Sequence, residues 1–334
     1  MAAANSMYPG IMKCLATDGA CYGVPPLPAT HTMTILTVRH ITTYRYRKPV
    51  GFGEHHMMFR PRDSYDQRLI ESTLLIVPQP VSIRWMHDVF GNAVARATFK
   101  GRAEELRFES TIKVKFYPTS VPNFQTATAA THYPFAYDPD ELPDLAPSIA
   151  RGYPDPHGEV QRWAMQFLSP GESTPTGKLL MTMTCAIRES FTYLRRVERG
   201  TQDPAATLLL RRGTCRDFAL LMMEAARSLG FAARFVSGYL YVPSRDGKEY
   251  LGGGSTHAWC QVYLPGAGWV EFDPTNGIIG NRDLIRVAVA RDPGQAIPLS
   301  GSYLGSPDDE LGMTVEVNVK SDEPEAPKLM QQAR

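Results

Sequence analysis

The spacing of apolar residues changes along this chain of 334 residues, and the change limits the folds that the chain can adopt. From about residue 34 to residue 117, apolar and polar residues alternate, which predicts half-buried antiparallel strands. From residue 159 to about residue 229 the apolar positions recur at helical spacing, and strand-like segments follow. This order predicts an α+β protein in which a β-sandwich-like N-terminal domain precedes a core that mixes helices and strands.

The clearest predicted strand is the segment LRFESTIKVKFY, residues 106–117, in which every second residue belongs to one side of a sheet. The same alternation in Val81, Ile83 and Trp85 predicts another strand, and residues 88–92, DVFGN, supply the turn after it. Several short strands joined by turns are typical of a small sandwich. Helices are predicted at residues 159–168, 176–194, 203–211 and 214–229. Later strands are predicted at residues 233–242, 256–264, 268–273 and 312–320.

The composition divides the chain into five parts. Residues 1–32 lack a basic start and charges interrupt their apolar part, so we predict a disordered leader, or a start codon placed too far upstream, instead of a secretory signal. Residues 33–117 form the β-rich N-terminal domain. Residues 118–157 contain eight prolines, which fix φ and remove backbone donors, so we predict an extended connector on the surface. Residues 158–320 are assigned to the core, and residues 321–334 to a flexible tail.

The charge balance and the cysteines argue against several classes of protein. Because 35 Lys and Arg residues face 34 Asp and Glu residues, the chain has no net field that would attract nucleic acid or an anionic membrane. It has no apolar run of about 18 residues that would predict a transmembrane helix. Five cysteines without paired spacing argue against a disulfide scaffold and favour a reducing cytoplasm. Since the chain lacks a CxxC motif, we expect no structural zinc.

The segment RRGTCRDFALLMMEAARSLG predicts a helix that begins with a cysteine. Thr214 has the position of an N-cap and Asp217 the third helical position, as in a capping box with Asp in place of Glu. Cys215 then lies in the first turn, where the helix end favours a thiolate and its free N–H groups can bind an oxyanion. A small buried hydrophobic role fits the same position, because free cysteines are often buried. The cysteines interpreted as non-catalytic are Cys14, Cys21, Cys185 and Cys260.

The hairpin THAWCQVYLPGAGWVEFD supplies a base and a carboxylate for such a thiol. For the polar faces of its two strands to coincide, the numbers of paired residues must add up to an even number. A three-residue loop, residues 265–267, meets this condition because it pairs Leu264 with Gly268. His257 then lies diagonally across from Asp273, within reach of a hydrogen bond after a modest twist. The sequence therefore predicts a His257–Asp273 pair.

Each residue of this pair also has an ordinary structural explanation. His257 alone fits a half-exposed strand histidine, and Asp273 alone fits a turn residue before Pro274. Glu271, one pair nearer the turn, is the competing carboxylate, and we rank it second. A cysteine at a helix start, a histidine on a strand and an aspartate on the adjoining strand rarely occur together by chance. The combination therefore predicts nucleophilic catalysis.

The motifs RRGTCRDFA, STHAWCQVYLPGAGWVEFDPTNG and VAVARD resemble those of the bacterial branch of the transglutaminase-like superfamily. Residues 34–117 are similar to the β-rich N-terminal domain of that branch, and the resemblance extends over residues 34–320. It implies a papain-like core, with helices packed on an antiparallel sheet, and a triad of Cys215, His257 and Asp273. It also implies acyl chemistry through a thioester. The resemblance does not select one reaction, because the superfamily includes cross-linking transglutaminases, peptidases, deamidases and members without the triad.

Three aromatic residues are further candidates for the cleft around the thiol. Tyr193 precedes the cysteine helix, and its phenol is either an oxyanion donor or an aromatic group that packs under the core. Trp259 and Trp269 either wall the cleft or belong to the core.

We therefore expect a cytoplasmic thiol enzyme that acts on a peptide or protein substrate through a Cys215 thioester, without a metal or organic cofactor. Hydrolysis by a cysteine peptidase or amidase is the first hypothesis, because the sequence shows no dedicated amine-donor site. The alternatives are an acyltransferase that cross-links protein glutamines and a non-catalytic binding module. Neither nucleic acid nor a membrane is expected as a partner.

Overall fold

The computed structural model of the chain describes residues 33–117, 125–194, 200–242 and 254–322. Its helices are α1 (Leu142–Ile149), α2 (Glu159–Met165), α3 (Thr176–Ser190), α4 (Pro204–Leu210) and α5 (Cys215–Ser228). Its first strands are β1 (Thr34–Phe52), β2 (His55–Met57), β3 (Gln67–Val77), β4 (Ser82–His87), β5 (Ala93–Thr98) and β6 (Arg102–Phe116). Short strands that follow are β7 (His132–Tyr133), β8 (Thr174–Pro175), β9 (Thr192–Tyr193) and β10 (Arg212–Gly213). The remaining strands are β11 (Ala233–Leu240), β12 (His257–Leu264), β13 (Gly268–Asp273), β14 (Ile278–Ile279), β15 (Leu284–Ala290), β16 (Leu299–Ser300), β17 (Tyr303–Leu304) and β18 (Glu310–Ser321).

Two sheets form the predicted N-terminal sandwich. In the first sheet, β6 lies between β1 and β3, while β17 and β18 pair with the other side of β1. In the second sheet, the order is β16-β2-β5-β4. The alternation predicted for residues 106–117 is confirmed, because every second residue of β6 from Leu106 to Phe116 is buried. The alternation of Val81, Ile83 and Trp85 does not mark a buried face, because β4 is an edge strand whose residues are all exposed.

The C-terminal strands return to the sandwich, although the sequence assigned residues 158–320 to the core. The predicted strand at 312–320 is present as β18, and it pairs antiparallel with β1. The connector also differs from its prediction. Residues 142–149 form α1 in spite of Pro147, and Leu145 of this helix is buried. The predicted leader, residues 118–124 of the connector and residues 323–334 of the tail lie outside the described residues.

The core is an antiparallel sheet with helices packed against it, as the resemblance implied. The strand order is β14-β13-β12-β11-β15, and α5 packs on the apolar face of β12. All four predicted helices are present, with ends that differ by at most four residues. Helix α5 is buried almost all round and not along one stripe, so it is the central helix of the core. No helix of the described residues is long and apolar enough to cross a membrane.

Side-chain amides join the sandwich to the core sheet. The amide of Asn92 donates to the carbonyl of Val289 at 2.7 Å and accepts from its N–H at 2.9 Å. Gln67 makes the same pair of bonds to the backbone of Arg286, at 2.7 and 3.1 Å. An apolar cluster crosses the same boundary and consists of Leu36, Val38, Ile112, Val114, Phe116, Tyr239, Ile285 and Val287. These contacts hold the sandwich against the sheet that carries the predicted histidine.

Candidate active site

Cys215 is the first residue of α5, as the sequence predicts. The carboxylate of Asp217 accepts hydrogen bonds from the N–H and the hydroxyl of Thr214, at 2.8 and 2.9 Å, and from the N–H of Gln202 at 2.6 Å. Asp217 is therefore a capping residue that fixes the start of the helix. Because the first N–H groups of a helix have no internal acceptor, those of Cys215 and Arg216 are available to a ligand. The Cys215 side chain is buried, with 6% of its surface exposed.

The predicted pair of His257 and Asp273 is present. Leu264 pairs with Gly268 across the turn, which is the register that the three-residue loop predicts and that brings the polar faces of the two strands together. His257 Nε2 lies 2.8 Å from Asp273 Oδ2. His257 is 1% exposed and Asp273 is fully buried, so this contact is shielded from water. Low local polarity strengthens the interaction between the two groups.

Two further groups hold the Asp273 carboxylate, and the sequence alone did not point to them. The N–H of Thr275 donates to Oδ1 at 2.9 Å, and the side-chain amide of Asn276 donates to Oδ2 at 2.9 Å. Burial raises the pKa of Asp273, but the charge of His257 and these hydrogen bonds outweigh burial and lower the pKa below its ordinary value. The sequence feature that could have pointed to Thr275 is the turn DPTNG, because an aspartate at a turn commonly accepts a hydrogen bond from the N–H two residues later.

The other ring nitrogen of His257 remains for the thiol. The carboxylate of Asp273 can only accept, so Nε2 of His257 carries the hydrogen in their bond. Nδ1 is buried and has no hydrogen bond of ordinary geometry to any described residue. Burial lowers the pKa of His257, whereas the charge of Asp273, its hydrogen bond and the neighbouring Cys215 thiol raise the pKa well above 6.5. The arrangement therefore presents a protonated imidazole to the Cys215 sulfur.

Glu271, the competing carboxylate, serves another purpose. It accepts from the Gln261 side-chain amide at 2.6 Å and from the Arg286 guanidinium at 2.5 Å. Burial raises the pKa of Glu271, although Arg286 and Gln261 counteract this effect. Glu271 is therefore engaged in these contacts, and the carboxylate that contacts His257 is that of Asp273.

Tyr193 and Trp259 both lie near the candidate triad. Tyr193 pairs with Gly213 across the parallel strands β9 and β10, two residues before Cys215. Its half-buried ring packs edge-on against Phe218, with centroids 6.5 Å apart. The ring of Trp259 lies 6.0 Å from that of His257 at an interplanar angle of 29°. Trp259 is completely buried, so it supports the histidine from the core and does not form an open wall.

Trp269 is not part of the site around the thiol. It pairs with Tyr263, six positions along β12 from His257. At about 3.4 Å per residue this separation is roughly 20 Å. The Trp269 ring instead packs under the guanidinium of Arg234, at 4.0 Å. The prediction that Trp269 walls the cleft is therefore wrong, because sharing a sheet face with His257 does not bring it to the same end of the strand.

Taken together, the arrangement provides a candidate nucleophile, a candidate base and a carboxylate that orients that base. Cys215 comes from a helix start, whereas His257 and Asp273 come from adjoining strands of the core sheet. This is the organisation that nucleophilic catalysis by a thiol requires. Within the described ranges, no three His, Cys, Asp or Glu side chains gather where they could hold a metal ion.

Comparison with known proteins shows which family the chain resembles in sequence. The sequence-family model of the bacterial transglutaminase-like N-terminal region matches residues 36–115. The family model of the transglutaminase-like superfamily matches residues 165–274. The uncharacterized protein Rv2569c of Mycobacterium tuberculosis is 30% identical over 303 residues, which cover 87% of this chain and 94% of the relative. The uncharacterized protein ML0607 of Mycobacterium leprae is 28% identical over 307 residues, which cover 84% of this chain and 98% of the relative.

A solved structure shares the fold. It is a protein of Cytophaga hutchinsonii, described as a candidate cysteine protease, and it superimposes with a TM-score of 0.65 at 18% identity. The match covers 88% of this chain and 93% of that protein, so both the sandwich and the core are included. The chain therefore belongs to the transglutaminase-like superfamily, whose core it carries behind a bacterial transglutaminase-like N-terminal region.

Proposed function

We propose that this protein is a cysteine peptidase or amidase that cleaves an amide bond through a thioester on Cys215. The observation that carries the proposal is the buried 2.8 Å contact of His257 Nε2 with Asp273 Oδ2, which leaves the other ring nitrogen facing the thiol. A fixed imidazole beside a cysteine at a helix start is the arrangement that activates a thiol. The Cytophaga hutchinsonii protein's description as a candidate cysteine protease agrees with this proposal.

In the acylation half of the reaction, the proton of the Cys215 thiol resides on Nδ1 of His257. The sulfur attacks the carbonyl carbon of the substrate, and a tetrahedral oxyanion forms. The N–H groups of Cys215 and Arg216 stabilise this oxyanion, because the first turn of α5 leaves them without internal acceptors. Tyr193, beside Gly213, is a further donor in this proposal. His257 then gives its proton to the departing amine, and the acyl group stays on the sulfur as a thioester.

In the second half, water resolves the thioester. Nδ1 of His257 accepts a proton from the water as its oxygen attacks the thioester carbon. The carbon–sulfur bond breaks, the acid leaves, and the proton returns to the pair of Cys215 and His257. Asp273 keeps the imidazole in one orientation throughout, because three hydrogen bonds fix its carboxylate. The cytoplasmic location expected from the cysteine content stays part of this proposal.

Selective alkylation tests the activated thiol. We expect iodoacetamide at pH 6 to modify Cys215 faster than Cys185 or Cys260, as measured by mass spectrometry of each cysteine. Burial, with the charge of Glu189, raises the pKa of Cys185 to about 11, and burial also raises the pKa of Cys260. His257 instead remains protonated beside Cys215 at this pH. These differences predict an excess of about tenfold or more in the rate at Cys215.

Two histidine variants separate the pairing from general effects on the protein. His257→Ala is expected to remove the excess rate at Cys215, because the imidazole beside the sulfur is lost. His56→Ala is the matched control, since His56 lies at the surface and bonds to Glu54. Equal alkylation rates at Cys215 in the wild type and in His257→Ala would show that His257 does not activate the thiol.

The fate of the thioester separates hydrolysis from acyl transfer. We expect a glutamine-containing peptide, incubated with a labelled primary amine, to yield acid and ammonia or new peptide termini without incorporation of label. Hydrolysis is expected because water needs no binding site, whereas an amine competes only when it is bound at the thioester. Incorporation of label that depends on Cys215 would instead establish acyl transfer. Cys185→Ala serves as the control for thiol loss, since Cys185 lies within α3.

A further inference from the structure

A cavity lies between the N-terminal sandwich and the core sheet, away from the candidate triad. Its volume is about 310 Å³, which is at the lower end of the range for sites that bind small molecules. Residues 62–65 and Gln67 of the sandwich form one wall, and β15 with the turn of the β12–β13 hairpin forms the other. Three arginines line it, namely Arg62, Arg234 and Arg286.

The charge of Arg286 is already compensated. Its guanidinium lies 3.0 Å from a carboxylate oxygen of Asp66 and 2.5 Å from one of Glu271. The sandwich and the core each contribute one of these carboxylates, so the Arg286 cluster belongs to the contact between them. The cavity lining also includes Asp63, whose carboxylate accepts from the N–H of Leu69 at 2.7 Å.

Arg234 is held rigidly but lacks a carboxylate partner. Its guanidinium stacks on the ring of Trp269 at 4.0 Å, and its Nε donates to Gln261 Oε1 at 2.7 Å. Gln261 is itself fixed by Glu271 at 2.6 Å. Among the described residues no acidic side chain pairs with Arg234, so both terminal nitrogens of its planar group are available at the cavity wall. A guanidinium that is fixed in this way can bind an oxyanion with two parallel hydrogen bonds.

Arg62 approaches the same space from the sandwich. Its Nη1 donates to the backbone carbonyl of Phe90 at 3.0 Å. Among the residues that the structure describes, no carboxylate forms an ion pair with Arg62. Burial lowers the pKa of Arg234 to about 10; Glu271 opposes this effect, while the charges of Arg286 and Arg62 add to it. Cations that face each other in a partly buried space are costly unless an anion joins them.

We propose that this cavity binds a small anion with a carboxylate or phosphate group, held by Arg234 and Arg62. Arg234 supplies the rigid bidentate donor, and Arg62 supplies a second charge from the opposite wall. The bound anion would thus contact both the sandwich and the core. The proposal is independent of the chemistry at Cys215, because the cavity contains neither the thiol nor its partners.

Calorimetric titration of the full chain tests the proposal, with inorganic phosphate and succinate as separate probes at constant ionic strength. We expect one of the two to bind at a single site with a Kd of about 1 mM or lower. Arg234→Gln and Arg62→Gln are each expected to weaken that binding at least about tenfold. Arg45→Gln is the matched control. Arg45 is an exposed residue of β1 that pairs with Glu105, and it does not line the cavity. The probe that binds more tightly identifies the preferred group.

Two results would overturn the proposal. One is the absence of binding of both probes up to about 10 mM. The other is binding that Arg62→Gln and Arg234→Gln leave unchanged, since the anion would then lie elsewhere. Arg62→Gln protects the test against misfolding, because the Arg62 side chain is exposed and, among the described residues, its hydrogen bond is to a backbone carbonyl.

Discussion

Replacing Cys215 with alanine is expected to lower kcat on a cleavable peptide or amide by a factor on the order of 10³ or more. The reason is that the substitution removes the sulfur on which the proposed thioester forms. The fold should survive, because alanine fits the first turn of a helix and Asp217 still caps that turn. We therefore expect the free energy of unfolding to change by about 1 kcal/mol or less. The two measurements are steady-state turnover and denaturant unfolding on the same preparation.

Cys185→Ala and Cys260→Ala give the controls for this result. Both residues are buried thiols outside the candidate triad, so turnover should persist in each variant unless the core is disturbed. A trapped acyl-enzyme adds a positive readout, since mass spectrometry of quenched wild-type enzyme should show the acyl mass on Cys215. Turnover that survives in Cys215→Ala would exclude thioester chemistry. If Cys215→Ala is instead inactive and a cellular function still persists, the binding-module hypothesis is favoured.

The sequence could predict the helix start at Cys215 and the His257–Asp273 pair because the constraints on each are local. A capped helix places Cys215 in the first turn, whatever the rest of the fold does. In the hairpin, side chains alternate strictly and the three-residue loop sets the register, so His257 must lie near Asp273. The same reasoning ranked Asp273 above Glu271, because only Asp273 shares the end of the hairpin where His257 lies.

Features that depend on distant parts of the chain could not be predicted in this way. The alternation in β18 shows that it is a strand, but an alternating pattern does not identify its partner, and β1 lies more than 250 residues away along the chain. Trp269 was misplaced because the face of a strand is known from its pattern, whereas the position of a cleft along the strand is not. Arg234 and Arg62 converge only after the sandwich docks on the core, so no local pattern predicted their cavity.

Replacing Asp273 with asparagine is expected to lower kcat by a factor on the order of 10³–10⁴, because the amide no longer fixes the tautomer or stabilises the charge of His257. The variant should also lose roughly 3 kcal/mol of stability near pH 6, since it breaks a buried charge pair on one side. The isosteric side chain keeps the contact with Thr275 geometrically possible, so the effect reports the charge and not the volume. Denaturant unfolding at several pH values measures the loss of stability.

The pH dependence gives this second prediction its sign. The pKa of His257 is raised in the folded protein, so its stabilising contribution is complete below pH 6.5 and is lost as the pH rises through the raised value of about 10. The pKa of Asp273 is lowered, so its contribution is complete above pH 3.8 and is lost as the pH falls through the lowered value. The pair therefore stabilises the fold most strongly between these two limits. Wild-type stability should decline from pH 6.5 to pH 10 more steeply than that of Asp273→Asn.

Asp322→Asn is the matched control for the pH series. Asp322 lies at the surface and bonds to Lys113 and Thr37, and the lowered pKa of its carboxyl confines its own contribution to acid pH. The stability of the control variant should therefore decline between pH 6.5 and pH 10 as steeply as that of the wild type. If Asp273→Asn kept that decline as well, the charge of Asp273 would not be what holds the proton on His257. The imidazole would then reach the thiol unprotonated, and it would have to act as a general base during attack.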